Sequence, residues 1–141
     1  MLIRRPVREV FEAFVDPAIT SRFWFTGSTG RLDGGQPVKW EWKMYGISVN
    51  VVVKTIEKNE RILIDWSVEG HPPTTVEWTF TPRANNTFVV VKNSGFKGDA
   101  TEQTRQAIDS TEGFAFVLAA AKALLEHDVA LNLVADHSPD A

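Results

Sequence analysis

The sequence predicts an α+β fold in which a curved antiparallel sheet precedes, and wraps, one long helix. Three observations predict it. Five strand-like segments alternate large apolar with polar residues, one Ala-rich segment with helical periodicity follows them, and Trp40, Trp42, Trp66 and Trp78 fall on the apolar parity of the strands. The helical segment offers many small side chains, so a hollow between the two layers is expected, and apolar hollows take apolar molecules.

Leu2 and Ile3 form only a stub of a first strand, because Pro6 removes a backbone donor and presets a φ that a helix start tolerates. Val7, Val10, Phe11, Phe14 and Val15 then recur at helical spacing. Asp16-Pro17 breaks that run and caps a second helical turn through Ile19, Phe23 and Trp24. Gly27 to Gly35, rich in Gly, Ser and Thr and closing on Asp33-Gly34-Gly35, reads as a loop. Val38, Trp40, Trp42 and Met44 alternate with Lys39, Glu41 and Lys43 as a half-buried strand, after which Tyr45-Gly46 turns the chain. Ile47 to Ile56 is a β-branched strand, although the run Val51-Val52-Val53 leaves its facing open.

Beyond the polar turn Lys58-Asn59-Glu60, Ile62, Ile64, Trp66 and Val68 share one face. Gly70-His71-Pro72-Pro73 forces a loop, and Val76, Trp78 and Phe80 alternate with Thr75, Glu77 and Thr79 until Pro82 stops the strand. A hairpin at Ala84-Asn85-Asn86 leads into the last strand, Thr87 to Asn93, so the five strands pair as an antiparallel meander. Gly95 and Gly98 flank Phe96 in the loop before the long helix, Thr101 to Asp128, whose apolar stripe is read at Ile108, Thr111, Phe114, Ala115, Leu118, Ala121 and Leu125. Val129, Leu131, Leu133 and Val134 make a packed extension, and residues from about 135 to 141 a loose tail. The whole chain, 1–141, reads as a single domain.

Composition narrows the function classes. A chain of 141 residues can bury roughly two-thirds of its unfolded surface, and its 43% hydrophobic and 23% charged residues are those of a globular protein. The absence of cysteine excludes disulfides, thiolate metal sites and cysteine nucleophiles, and fits a cytoplasmic setting. No apolar stretch has the length of a signal peptide or a membrane span; the longest, Phe114 to Ala121, ends at Lys122. A net charge of −3 with scattered basic residues offers no field for nucleic acid.

Catalytic candidates are few. Glu41, Asp65 and Glu77 each adjoin an inward tryptophan, so a period of two puts all three on the solvent side. His71, His127 and His137 are too dispersed for metal-ligand spacing, and Gly27-Ser28-Thr29-Gly30 lacks the lysine of a phosphate-binding loop. No cofactor is implied. The candidate ligand-binding set is apolar: Trp24, Trp40, Trp42, Trp66 and Trp78, with Phe96, Phe114, Leu118 and Ala121 from the loop and helix, and Asn93 as polar handle. Two readings of these aromatics stand side by side, filling a core or lining a pocket. The alanines of the helix favour space, though alanine is also the best helix former.

The run Pro6-Val7-Arg8-Glu9-Val10-Phe11-Glu12-Ala13-Phe14 with Asp16-Pro17, then Phe23-Trp24-Phe25, Asp33-Gly34-Gly35, the segments Ile62 to Trp66 and Val76 to Phe80, and the closing Glu112-Gly113-Phe114 with Leu124-Leu125-Glu126 form a pattern over nearly the whole chain. It resembles the homologues of the activator of heat-shock-protein-90 ATPase, within the START-like (SRPBCC) superfamily that includes polyketide cyclases and birch pollen allergens. The resemblance implies a helix-grip fold, an antiparallel sheet around a carboxy-terminal helix enclosing a pocket for lipids, hormones or polyketides. Two departures are visible: the first strand is short, and Phe114 stands where family members commonly carry tryptophan. The expected function is binding of a small hydrophobic molecule, lipid-like or aromatic. The alternatives are a cyclase or hydrolase acting in the same cavity, and a chaperone ATPase-activating domain.

Overall fold

A computed structural model describes residues 1–141. Its elements are β1 (Leu2–Ile3), α1 (Val7–Val15), α2 (Pro17–Thr20), β2 (Gly27–Ser28), β3 (Val38–Trp42), a 3-10 turn (Lys43–Tyr45), β4 (Ile47–Glu57), β5 (Arg61–Val68), β6 (Thr74–Arg83), β7 (Asn86–Ser94), α3 (Ala100–His127) and α4 (Leu133–Asp136). The meander β3 to β7 forms as the alternation predicts, and two short edge strands complete a seven-stranded, curved antiparallel sheet in the order β1-β7-β6-β5-β4-β3-β2. No helix is long and apolar enough to cross a membrane.

Alternation decides what the sheet buries. Trp40 and Trp42 on β3, Val49 and Val51 on β4, Ile62 and Ile64 on β5, Val76, Trp78 and Phe80 on β6 and Val89 on β7 are all buried. Against them lie Val10, Phe11, Phe14 and Val15 of α1 and Phe114, Val117, Ala121 and Leu124 of α3, in one continuous core. Edge-on aromatic pairs join the layers, with Phe11 and Phe80 centroids 5.3 Å apart. The open facing of β4 is resolved by plain alternation, with Val49 and Val51 buried, Val53 partly buried against the core and Val52 exposed; a register shift follows between Val53 and Thr55.

Caps set the helix ends. Asp16 Oδ1 accepts from Ala18 N at 2.9 Å with Pro17 at the first helical position, and Asp99 Oδ1 accepts from Glu102 N at 2.8 Å to start α3. Just before that cap, Gly98 has φ +106, and a Cβ there would meet Glu102 Cγ at 2.8 Å. Only glycine suits the turn that presents the Phe96 loop.

Four expectations are corrected. Gly27–Ser28, read as loop, is an edge strand paired with Glu41 and Trp40, because backbone pairing needs no side-chain pattern. Met44 leaves the inward row, since β3 ends at Trp42 and the 3-10 turn rotates it outward. Pro82 lies inside β6, paired with Thr87. Phe80 N donates across to Glu60 O, so Pro82, two residues on, has its missing donor on the side where β5 has ended. Finally, the predicted stripe on α3 holds only in its second half: Phe114 and Ala121 are buried, joined by Val117, Ala120 and Leu124, and Leu118 and Leu125 pack partly buried against the core, whereas Ile108, Thr111 and Ala115 are exposed. Its residues 100–113 include none that is buried, because they overhang the end of the sheet. Val68, Val129 and Leu131 are exposed as well.

A polar joint fastens β1 to α3. Glu126 Oε2 accepts from Arg4 N at 3.0 Å and from Lys122 Nζ, which also donates to Leu2 O at 2.8 Å. Burial pushes the Glu126 carboxyl up, but the Arg4 N–H and Lys122 outweigh it and hold it below its ordinary value of 4.5. Stability from a lowered carboxyl is present above its unfolded pKa and is lost as pH falls through the folded one. Glu126→Gln is therefore expected to cost about 1.5–3 kcal/mol at neutral pH. Urea unfolding at a series of pH values should show that deficit shrinking as the pH drops below about 4.

Candidate functional site

The overhang of α3 leaves a cavity of about 410 Å³ between the helix and the end of the sheet formed by β5, β6 and β7. Parity places its sheet wall: Trp66 pairs with Thr74 across β5 and β6, Asn93 pairs with Val76 across β6 and β7, and all three inward side chains reach the cavity. Trp24 enters from the segment after α2, and Phe96 from the glycine loop. From α3 come Ser110, Gly113, Phe114, Phe116 and Val117, with Arg105, Gln106 and Asp109 at the rim. The chain beyond α3 folds back to add Val134 and His137.

The ligand-binding residues proposed from sequence divide into two main groups. Trp24, Trp66, Phe96, Phe114 and Asn93 come together on the cavity. Trp40, Trp42, Trp78 and Ala121 do not; they are buried in the core, Trp78 on β6 against Phe14 and Phe114, and Trp40 and Trp42 on β3 beneath Trp24 and Phe25. Leu118 lines a neighbouring hollow of about 290 Å³ with Val91. Core filling and pocket lining are thus both realised, by different indoles. Trp24 joins the groups, with its centroid 5.0 Å from Trp40 and 6.0 Å from Trp66.

A hydrogen-bond chain organises the polar wall. Ser110 Oγ donates to Asn93 Oδ1 at 2.8 Å; Asn93 Nδ2 donates to Thr75 O at 2.8 Å and to Thr74 Oγ1 at 3.0 Å; Trp66 Nε1 also donates to Thr74 Oγ1, at 2.9 Å. Asn93, expected as the handle, therefore has both amide protons committed to protein. At the rim, Arg105 is engaged by Glu102 at 2.7 Å and Asp109 at 3.0 Å.

The fold-back is anchored by Tyr45, whose hydroxyl donates to Val134 O. Burial, with Asp136 nearby, pushes the Tyr45 phenol above its ordinary value and keeps it a donor. His137 Nδ1 lies 2.9 Å from Val134 O and 3.2 Å from the Tyr45 hydroxyl, which ties the ring to the fold-back. The imidazole packs on Phe116, centroids 5.3 Å apart.

Sequence reasoning missed Thr74, Ser110, Phe116, Val134 and His137. Thr74 was legible, since it continues the parity of Val76, Trp78 and Phe80 back to the strand start. Ser110 stands one helical turn before Phe114. Val134 and His137 carry no local signal, because a tertiary fold-back places them. The carboxylates lie outside, as alternation predicts: Glu77 pairs with Arg61 at 2.6 Å, and Asp65 accepts from Thr75 at 2.7 Å. No group of three or more His, Cys, Asp or Glu side chains is placed to hold a metal ion.

A curved antiparallel sheet gripping a long helix, with a lateral aromatic cavity, defines a helix-grip, START-like protein. The chain belongs to the family described as Activator of Hsp90 ATPase homolog 1-like protein, which matches residues 4–126. Among solved structures it is similar to the protein SSP2350 of Staphylococcus saprophyticus, at 27% identity and TM-score 0.78, over 93% of this chain and 91% of that one. It is similar to DynU16 of the dynemicin biosynthetic locus, at 22% identity and TM-score 0.76, over 92% of this chain and 46% of that one. CalU16 of Micromonospora echinospora shares the fold at 19% identity and TM-score 0.73, over 94% of this chain and 75% of that one. No curated protein matches the chain.

Proposed function

We propose that this domain binds a small hydrophobic molecule, aromatic or lipid-like, in the cavity between the sheet and the overhanging half of α3. The observation that carries the reading is the cavity of about 410 Å³ walled by the rings of Trp24, Trp66, Phe96, Phe114 and Phe116. That volume falls in the range of small-molecule pockets, and the aromatic wall is joined by polar side chains on one side, Thr74, Asn93 and Ser110, with Arg105, Gln106 and Asp109 at the rim. A cyclase or hydrolase that works by paired acid and base needs two ionisable groups placed on either side of the ligand. Here Asp109 is tied to Arg105, and the remaining ionisable wall group is His137, so binding is the reading the geometry supports best.

The test is titration with the apolar fluorophore N-phenyl-1-naphthylamine. Saturable binding at one site per chain, with energy transfer from Trp24 and Trp66, is expected. A linear, unsaturable signal would remove the reading. The family description raises chaperone ATPase activation as a separate activity, and ATPase turnover measured with and without the purified chain tests it independently of the cavity.

A further inference from the structure

The polar wall prescribes the chemistry of what enters. A hydroxyl oxygen has two lone pairs and one proton. On Thr74 both lone pairs are taken, by Trp66 Nε1–H at 2.9 Å and by Asn93 Nδ2–H at 3.0 Å. Its own proton has no acceptor within the protein, on a side chain that lines the cavity. The neighbouring hydroxyl is the reverse case: Ser110 spends its proton on Asn93 Oδ1 at 2.8 Å. That bond polarises the Asn93 amide, which in turn polarises Thr74, so the chain Ser110–Asn93–Thr74 delivers a strengthened O–H donor at its end.

We propose that Thr74 is the ligand-orienting residue, its O–H donating to a neutral carbonyl oxygen, so that the ligand class is an aromatic ketone or quinone. Neutrality follows from the rim, where the one arginine of the wall, Arg105, is already held by Glu102 and Asp109 and no lysine lines the cavity. Aromaticity is argued from the flanking rings: Trp66 and Phe114, a tilted pair with centroids 5.7 Å apart, both line the cavity and offer aromatic surface beside the Thr74 hydroxyl. The inference rests on the binding reading above and adds to it the functional group.

The test compares 9-fluorenone with fluorene, the same tricyclic plane with and without the carbonyl. Binding is followed through the indole N–H resonances of Trp66 and Trp24, and the bound carbonyl through its infrared stretch. The wild-type chain should prefer fluorenone by about threefold to tenfold, the net value of a hydrogen bond. Its bound C=O stretch should move to lower wavenumber than in a hydrocarbon solvent. Thr74→Ser should keep both the preference and the shift, whereas Thr74→Val should lose both while still binding fluorene. Equal affinities in the wild type, or a shifted stretch that survives Thr74→Val, would overturn the role of Thr74 and leave the cavity reading standing. Failure of the wild type to bind either hydrocarbon or ketone would overturn both. Should the valine variant not fold, the wild-type comparison and the serine variant decide the matter.

Discussion

Trp78→Ala is expected to destabilise the domain by about 3–5 kcal/mol, the cost of removing a fully packed large aromatic side chain. The indole is 1% exposed and stands where the sheet, α1 and α3 meet. Its ring centroid lies 6.1 Å from Phe14, 6.0 Å from Trp24 and 6.0 Å from Phe114. Those neighbours are rigid rings held in further pairs, Trp24 with Phe114 and Phe14 with Phe23 and Phe80, so they resist collapse into the space, and the cavity term adds to the transfer term. Trp78 Nε1 is buried without a partner, a donor taken from water with nothing returned. Trp78→Phe removes that penalty along with part of the ring and is expected to be far milder than the alanine change. Chemical denaturation of the two variants checks the order. A loss below about 1.5 kcal/mol for the alanine variant would place the indole at an edge rather than in a packed core.

Trp78 also shows how far alternation can be read. A period of two identified Trp40, Trp42, Trp66 and Trp78 as inward, and all four point to the face that carries the core. Parity gives a face but not a position along the strand. Whether an inward indole fills or lines depends on what lies opposite, and that is set by where α3 crosses. Trp66 meets the overhang and lines the cavity, while Trp78 meets α1 and Phe114 and is enclosed. The outward carboxylates Glu41, Asp65 and Glu77 follow from the same parity, each one residue from an inward tryptophan.

Long-range placement accounts for the rest. The stripe on α3 was read as one continuous face, and the helix honours it only where the sheet lies beneath; Ile108 fits the period yet is exposed because nothing covers that turn. Proline inside β6 obeys the rule that proline sits where no neighbouring strand needs its donor, but only the end of β5 reveals that position. The fold-back of Val134 and His137 depends on Tyr45, roughly ninety residues away in sequence, and no window of local periodicity contains both. What local chemistry encodes, namely caps, turns, alternation and the glycine loop, was legible. What depends on one element ending beneath another was not.

Gly113→Phe should separate stability from binding more sharply than any other single change. Gly113 lies within α3 on the cavity wall, its φ is outside the left-handed region, and a Cβ built there has no heavy atom within 4 Å. Glycine in a helix interior costs about 0.5–1 kcal/mol relative to alanine, so Gly113→Ala is expected to stabilise by that amount and to leave binding nearly unchanged. For a chain of this size the gain corresponds to a rise of about 2–4 °C in Tm per kcal/mol. Phenylalanine forfeits part of that gain through its poorer helix propensity, but its ring projects into the space the ligand would take. Uptake of N-phenyl-1-naphthylamine should therefore weaken by about tenfold or more, 1.4 kcal/mol, with the melting temperature at or above that of the wild type. The predicted site at Ala121 could not give this result, because Ala121 is fully enclosed and a larger side chain there would overpack the core. A phenylalanine variant that binds the fluorophore as the wild type does would move the site out of this cavity. A variant that loses binding only because it unfolds would show that the space beside Gly113 is closed by packing rather than open to a ligand.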